Sequence, residues 1–247
     1  MRVAAIVQAR MGSTRLPGKS LMPVWRDMPL LELVLRRVAA ARKLDEVVLA
    51  TSDRPEDDPL AELGEHLGAA LFRGDAEDVL GRFVGALDKH PADAVVRVCA
   101  DNPFVAPEHL DRLVEYFKRV DDCVYARSTT EASGIADGFG AEIASADALR
   151  AADAHATEPR HREHVTLWLT DQGDFVGVAD LPPPERPLPW LKLDVDTRED
   201  YERMRALADA LPEESAPLWP AEAIVERYLS LRPIDSGSQS PWGSPIP

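Results

Sequence analysis

An α/β fold, with an open and mostly parallel sheet covered by helices on both faces, follows from three features of the sequence. Between Val3 and Cys99, short aliphatic runs alternate with amphipathic stretches of helical period, in the order β-α-β-α-β-α-β. The connections are short, as right-handed crossovers between neighbouring parallel strands require. Polar and charged residues gather just after the carboxyl end of each apolar run, where open parallel sheets form their ligand crevice.

Taken in order, Val3 to Val7 is the first strand, and it runs into a loop from Gln8 to Lys19. Pro29 to Ala41 carries Leu30, Leu31, Leu33, Val34, Leu35 and Val38 on one helical face, with Arg36, Arg37 and Arg42 towards the negative end of the helix dipole. Glu46 to Thr51 is a buried strand that ends in the turn Ser52-Asp53-Arg54-Pro55. Asp57 to Leu67 reads as a helix closed by Gly68. Ala69 to Phe72 is a strand, and Asp75 is placed to cap the next helix, with Asp78 completing a capping box and the helix running to about Lys89. Asp93 to Cys99 is the fourth strand, and Pro107 opens a helix to about Val120. Beyond it the pattern gives strands at Cys123 to Ala126 and Phe139 to Ala144, a helix capped by Ser145, and one helix from Pro159 to Thr170. A strand follows at Asp174 to Ala179, then an extended proline-rich segment from Leu181 to Pro189 and an alternating strand from Trp190 to Asp196. Helices begin at Thr197 and at Ala221, the latter ending at Leu231. Residues 233–247 are too polar and too rich in proline and glycine to pack, which leaves 1–232 as the folded domain.

The loop after the first strand carries the strongest chemical signal. Gly12 and Gly18 free backbone N–H groups, Ser13 and Thr14 add hydroxyls, and Arg10, Arg15 and Lys19 add three cations. That set suits a ligand with several negative charges, a triphosphate above all. The loop differs from a Walker loop: Gly12 and Gly18-Lys19-Ser20 are one residue too far apart, and Pro23 forbids a helix starting at the lysine, since an interior proline costs about 3 kcal/mol. The competing reading is a basic surface turn, and the acidity of the chain weighs against it. The 247 residues carry a net charge of −15, with a pI near 4.8. So acidic a chain is a poor general binder of nucleic acid or of anionic membranes. No apolar run approaches the roughly 18 residues of a membrane span, and the first residues lack the pattern of a signal peptide. Cys99 and Cys123 lie far apart with no metal-ligand spacing, which points to a reduced, cytoplasmic protein.

Thr51, Arg73, Asp101, Asp194 and Asp196 also fall at strand ends. Asp101 and Asp196, with phosphate oxygens and water, would supply the octahedral oxygen set of Mg2+. Each has a plainer alternative, Asp101 as a turn residue before Asn102-Pro103 and Asp196 as a charge at a helix N-terminus. Asp78 and Arg82 are either positioning groups for a nucleotide or an i,i+4 ion pair worth about 0.2–0.5 kcal/mol.

Six motifs stand in one order: Q-A-R-x-G-S-T-R-L-P-G-K from Gln8 to Lys19, A-T-S from Ala50 to Ser52 with Asp57-Asp58 following, F-R-G-x-x-x-D-V-L-x-R from Phe72 to Arg82, V-R-V-x-x-D-x-P from Val96 to Pro103, R-E-H-V-T from Arg162 to Thr166, and L-D-V-D-T-x-E-D from Leu193 to Asp200. Over residues 1 to about 210 the chain resembles the sugar-acid cytidylyltransferase superfamily, and most of all its spore-coat polysaccharide branch. The resemblance implies a three-layer α/β/α, Rossmann-like nucleotidyltransferase fold with an inserted acceptor and dimerisation region at 127–170, and a homodimer. It implies transfer of a nucleotide monophosphate, usually from CTP, to a small anionic acceptor such as a sugar acid, a phosphonate or a phosphate, with release of pyrophosphate and with Mg2+ as cofactor.

Carried onto this sequence, the resemblance gives Arg10, Lys19 and Asp101 catalytic roles. Ala9, Arg10, Met11, Gly12, Ser13, Arg15, Lys19, Thr51, Arg73, Asp78, Arg82 and Arg97 would hold the nucleotide, the base lying against backbone groups near Ala9, Arg10 and Met11. Asp101 and Asp196 would hold the metal, and Asn102, Glu142, Arg162 and His164 the acceptor. His164 could instead be a core residue or a contact to a partner chain. Relatives often carry G-L-D-V-E where this chain reads Gly138-Phe139-Gly140-Ala141-Glu142, so the usual aspartate is missing at the acceptor region. Other readings are a guanylyltransferase, a glycosyltransferase using Asp194-Val195-Asp196 as a D-x-D pair, and a non-catalytic nucleotide-binding relative.

Overall fold

The structure is a computed structural model that describes residues 1–172, 178–182 and 187–231. The expected tail at 233–247, the first part of the strand expected from Asp174, and residues 183–186 of the proline-rich segment lie outside the described residues.

In chain order the elements are β1 (Val3–Gln8), β2 (Pro23–Trp25), β3 (Met28–Pro29), α1 (Leu30–Ala39), β4 (Glu46–Ser52), α2 (Asp58–His66), β5 (Ala70–Gly74), α3 (Val79–Lys89), β6 (Ala94–Cys99) and α4 (Pro107–Arg119). They continue with β7 (Tyr125–Arg127), α5 (Thr130–Ser133), β8 (Glu142–Ser145), α6 (Ala146–His155), α7 (Pro159–Glu163), α8 (Leu167–Asp171), β9 (Val178–Asp180), α9 (Arg198–Ala210) and α10 (Ala221–Leu231). Seven strands form one sheet in the order β5-β4-β1-β6-β8-β7-β9. Every pairing is parallel except the two made by β8, which runs antiparallel to β6 and β7. The three-layer, mostly parallel expectation therefore holds.

Side chains along β1 and β6 alternate between two cores. Val3, Ala5 and Val7 of β1, with Ala94, Val96 and Val98 of β6, face α1, α4, α9 and α10. Ile6 and Val95 face α3, α6 and α8, where Leu80, Phe83 and Leu149 are buried. Fully burying one such aliphatic or aromatic side chain stabilises by about 1.5–3 kcal/mol. Arg97 lies between Val96 and Val98, so the pleat turns it to the α3 side, near the carboxyl end of β6, and into the crevice.

Three local expectations are corrected. The helix after β5 begins at Val79 with Asp78 as its N-cap, accepting from the Gly81 N–H at 2.9 Å. Asp75 instead accepts the N–H groups of Glu77 and Asp78 and closes the preceding turn. The helix expected from Pro159 to Thr170 is broken at His164-Val165-Thr166, where Val165 takes a φ of 47° that a β-branched residue rarely adopts. Residues Trp190 to Asp196 join no ladder and make a single isolated bridge between Asp137 and Lys192. Their alternation is real, with Leu191, Leu193 and Val195 fully buried. The backbone bonds loop residues instead, Leu193 N–H to Asp137 O at 2.9 Å and Val195 N–H to Asp101 O at 2.8 Å. The segment thus lies across the carboxyl ends of the strands, which brings Asp196 to the crevice. Thr197 and Asp200 form the capping box of α9.

Candidate active site

The loop between β1 and β2 is wound around Met11. Its carbonyl accepts the N–H groups of Ser13 (2.9 Å) and Gly18 (3.1 Å). Gly18 sits at φ 74°, in the left-handed region that favours glycine, and turns the chain into a single 3-10 turn over Lys19–Leu21. The β2–β3 hairpin follows. As its spacing implied, this loop starts no α-helix at its lysine.

From that turn the Lys19 ammonium donates to the Val195 carbonyl at 2.7 Å and to Asp101 Oδ2 at 3.0 Å, and it lies 3.4 Å from Asp196 Oδ1. Arg15 pairs with the same Asp196 oxygen at 2.9 Å. Arg10 bonds the Ala76 carbonyl at 3.2 Å and stands 3.7 and 3.8 Å from Glu77 and Glu163. The loop cations and the strand-end carboxylates therefore meet at one place. Two carboxylates from different segments, both part-exposed and converging on one ammonium, are an oxygen set that fits a divalent cation with phosphate oxygens as further ligands. Gly12 fits the same picture, since a Cβ placed on it would meet nothing within 4 Å and the backbone stays open to a ligand.

Two cavities adjoin here. The first, of about 310 Å³, is lined by Ala9, Arg10, Ser13, Arg15 and Lys19 of the loop, by Arg82 and Arg97, and by Asp101 and Asp196. The second, of about 280 Å³, is lined by Asn102, Ser128 to Glu131, Asp137, Gly140, Glu142 and Asp194. Arg97, Cys99 and Asp101 belong to both walls.

The expected nucleotide set divides. Ala9, Arg10, Ser13, Arg15, Lys19, Arg82 and Arg97 line the first cavity, and Met11, Gly12, Thr51, Arg73 and Asp78 do not. Thr51 is fully buried. Arg73 staples the edge of the sheet, bonding the Ser52 and Arg54 carbonyls and pairing with Asp58 at 2.7 Å. Asp78 does not pair with Arg82. It takes both ends of the Arg162 guanidinium at 2.8 and 2.5 Å, and Arg82 donates to the Asp75 and Ala76 carbonyls. The backbone N–H groups of Ala9 and Met11 are already used by the Ala50 carbonyl and the Asp57 carboxylate, so they are not donors for a base.

Of the acceptor set, Asn102 and Glu142 line the second cavity, His164 lines the first, and Arg162 is held away by Asp78 and Asp153. The break at Val165 carries His164 into the first cavity. Glu163, Gln8 and Asp57 were missed in the sequence. The first two sit beside residues already singled out, and Asp57 had only its spacing after Ala50-Thr51-Ser52 as a signal.

Arg97 is held at the shared wall. Glu142 lies directly across the β6–β8 ladder and binds it, and the same carboxylate accepts from Tyr125 Oη and from Thr166 Oγ1 at 3.0 Å. Burial works against the Glu142 charge, but Arg97 and these donors outweigh it and keep its pKa below the usual value. Burial likewise opposes the Arg97 charge, and the Glu142 carboxylate beside it works to restore it. The Cys99 thiol is pushed up to about 11 by burial, so it is not a thiolate nucleophile. Gly140 explains the missing aspartate: a Cβ there would lie 1.7 Å from the Ser128 carbonyl oxygen.

Comparison with known proteins gives the family. A family model described as cytidylyltransferase matches residues 4–230. The spore coat polysaccharide biosynthesis protein SpsF of Bacillus subtilis (strain 168) is 37% identical over 209 residues, covering 82% of this chain and 84% of that protein. A cytidylyltransferase structure from Leptospira borgpetersenii superposes with a TM-score of 0.86 at 27% identity, over 93% of this chain and 94% of the other. A CMP:2-keto-3-deoxy-manno-octonic acid synthetase solved with CTP shares the fold, with a TM-score of 0.63 at 18% identity, over 84% and 98% of the two chains. With the match running from the first strand to the last helix, this chain belongs to the cytidylyltransferase family and is a nucleotidyltransferase.

Proposed function

We propose that this enzyme transfers CMP from CTP to a hydroxyl of a small sugar acid and releases pyrophosphate. One observation carries the reading: a cavity rich in cations adjoins a cavity rich in hydrogen-bond acceptors, and they share Arg97 and Asp101. The first suits a triphosphate, with Arg10, Arg15, Lys19 and Arg82 around it. The second offers the carboxylates of Glu131, Asp137 and Asp194 to sugar hydroxyls, and Arg97, which Glu142 holds in place, is the one cation among its described lining residues for a single acidic group. A phosphate or phosphonate, with up to two charges, fits that balance less well.

In the reaction the acceptor oxygen bonds to the α-phosphorus as the bond to the pyrophosphate oxygen breaks, and the acceptor proton passes to solvent. Asp101 and Asp196 would hold Mg2+, which supplies charge stabilisation at the phosphates. The chain's own cations orient the triphosphate and neutralise charge on the leaving group, an electrostatic contribution that is large where water is excluded. The free cysteines support a reduced, cytoplasmic setting, and a homodimer built on residues 127–170 of the 1–232 domain completes the proposal.

The test incubates the protein with each NTP, Mg2+ and a panel of sugar acids, phosphonates and phosphates, and follows pyrophosphate. CTP with a sugar acid should release it. Release with GTP alone would move the enzyme to the guanylyltransferases, and no release with any pair would refute transfer.

A further inference from the structure

The Asp57 carboxylate lies almost fully buried, 2% exposed, just beneath the loop that follows β1. It comes from the 3-10 turn Pro55–Asp57, after β4. Both its oxygens are used. Oδ1 accepts the Met11 N–H at 2.7 Å, and Oδ2 accepts the hydroxyl of Ser52, itself fully buried at the end of β4. Met11 in turn holds Ser13 and Gly18 through its carbonyl. The bonds thus run without a gap from the sheet, through Ser52, Asp57 and Met11, to Gly18, and Lys19 follows directly.

The geometry points to Asp57 as the positioning residue of the nucleotide loop: it fixes Met11 so that the loop is already closed, with Arg15 and Lys19 aimed into the first cavity, before CTP arrives. This rests on the CTP reading above. A loop that is ordered beforehand spends less binding energy on its own immobilisation, so the effect belongs in affinity. Glu56, the other carboxylate of the turn, makes no such contact; it is exposed and stands 3.9 Å from Arg54.

Asparagine at this position keeps an acceptor for the Met11 N–H and a donor for Ser52 Oγ, whereas alanine keeps neither. The test combines amide hydrogen exchange without ligand and calorimetric titration with CTP and Mg2+ on the full chain. The Met11 and Gly18 amides of the wild type should be protected like those of β1, although the loop is half-exposed. Asp57→Ala should expose both amides and weaken CTP binding by about tenfold or more, the scale of one buried bond to a charged acceptor. Asp57→Asn should stay within about threefold of wild type.

Fast exchange at Met11 in the wild type overturns the inference. So does Asp57→Ala that loses thermal stability but binds CTP within about twofold of wild type, or Asp57→Asn that is as weak as alanine. If Asp57→Ala does not fold, the wild-type exchange and Asp57→Asn decide by the same criteria. Should the wild type itself fail to bind CTP, the CTP reading falls, and exchange at Met11 and Gly18 in the variants alone judges the tether.

Discussion

Replacing Arg37 with methionine should cost about 3 kcal/mol of stability. Arg37 is fully buried on α1 and, among the described residues, faces no carboxylate at salt-bridge distance. Its guanidinium donates to the carbonyls of Pro217 (2.7 Å), Val105 (2.8 Å) and Trp219 (3.0 Å), with a longer bond to Phe104 at 3.4 Å. Three good bonds from a charged donor contribute about 2 kcal/mol each, near 6 kcal/mol in total. Against this stands burial of the charge, which lowers its pKa well below the ordinary arginine value, to about 10. At about 1.4 kcal/mol per unit, that is a penalty of roughly 3 kcal/mol that methionine does not incur. The difference is the expected loss. Urea unfolding followed by tryptophan fluorescence suits the test, because Trp219 is buried against Trp25 with ring centroids 5.6 Å apart and reports the same region. A loss below about 1 kcal/mol, with the fluorescence of the folded state unchanged, would refute the account, since three buried carbonyls cannot all lose their donor so cheaply.

Asp101→Asn should abolish pyrophosphate release while leaving the melting temperature nearly unchanged, because among the described residues the part-exposed carboxylate pairs with Lys19 alone; undiminished turnover would remove Asp101 from the proposed metal role. Gly140→Ala should lose about 2 kcal/mol or more in thermal unfolding, since its methyl group would overlap the Ser128 carbonyl and Ile135; a neutral variant would show that the loop at 128–140 readily moves. His109 is half-buried, ring-stacked on Phe139, and its pKa is lowered by burial. Its neutral form is therefore favoured by folding, and stability should be full above the ordinary histidine value and decline as the pH falls below it. His109→Phe should flatten that decline between pH 7.5 and about 5, and an unchanged pH profile of urea midpoints would count against it.

The sheet was legible because apolar runs of strand length alternate with helical periods, and the pleat of β6 alone turns Arg97 to the crevice. The carboxylate pair was legible as two aspartates after apolar runs. What could not be read was how the chain ends its regular elements. Nothing in Arg162-Glu163-His164-Val165-Thr166 announces that a valine takes positive φ, yet that break decides that His164 enters one cavity while Arg162 is pulled back to Asp78. The alternation of Trp190 to Asp196 is equally real for a strand and for an extended segment with one buried face, and only the tertiary partners separate them. Asp57 looked like a helix-start carboxylate because its bond to the Met11 N–H lies far along the chain, and only its spacing after Ser52 is visible locally.

The pairing of Lys19 and Arg15 with Asp101 and Asp196 has a further consequence under the proposed function. In the protein alone, cations and carboxylates neutralise one another, so a bare triphosphate must compete with the carboxylates for the cations. A bare divalent cation must likewise compete with Lys19 for the carboxylates. Supplied together, each partner takes the groups that the other frees, and no charge is left uncompensated. Binding of CTP and Mg2+ should therefore be strongly synergistic, and by thermodynamic linkage each should raise the affinity of the other by the same factor, about tenfold or more. Lys19→Met removes the ammonium from between the carboxylates. It should weaken CTP binding and yet raise the affinity for Mg2+ measured alone. Those opposite signs separate a competing lysine from one that serves only to stabilise the loop, whose loss would weaken both.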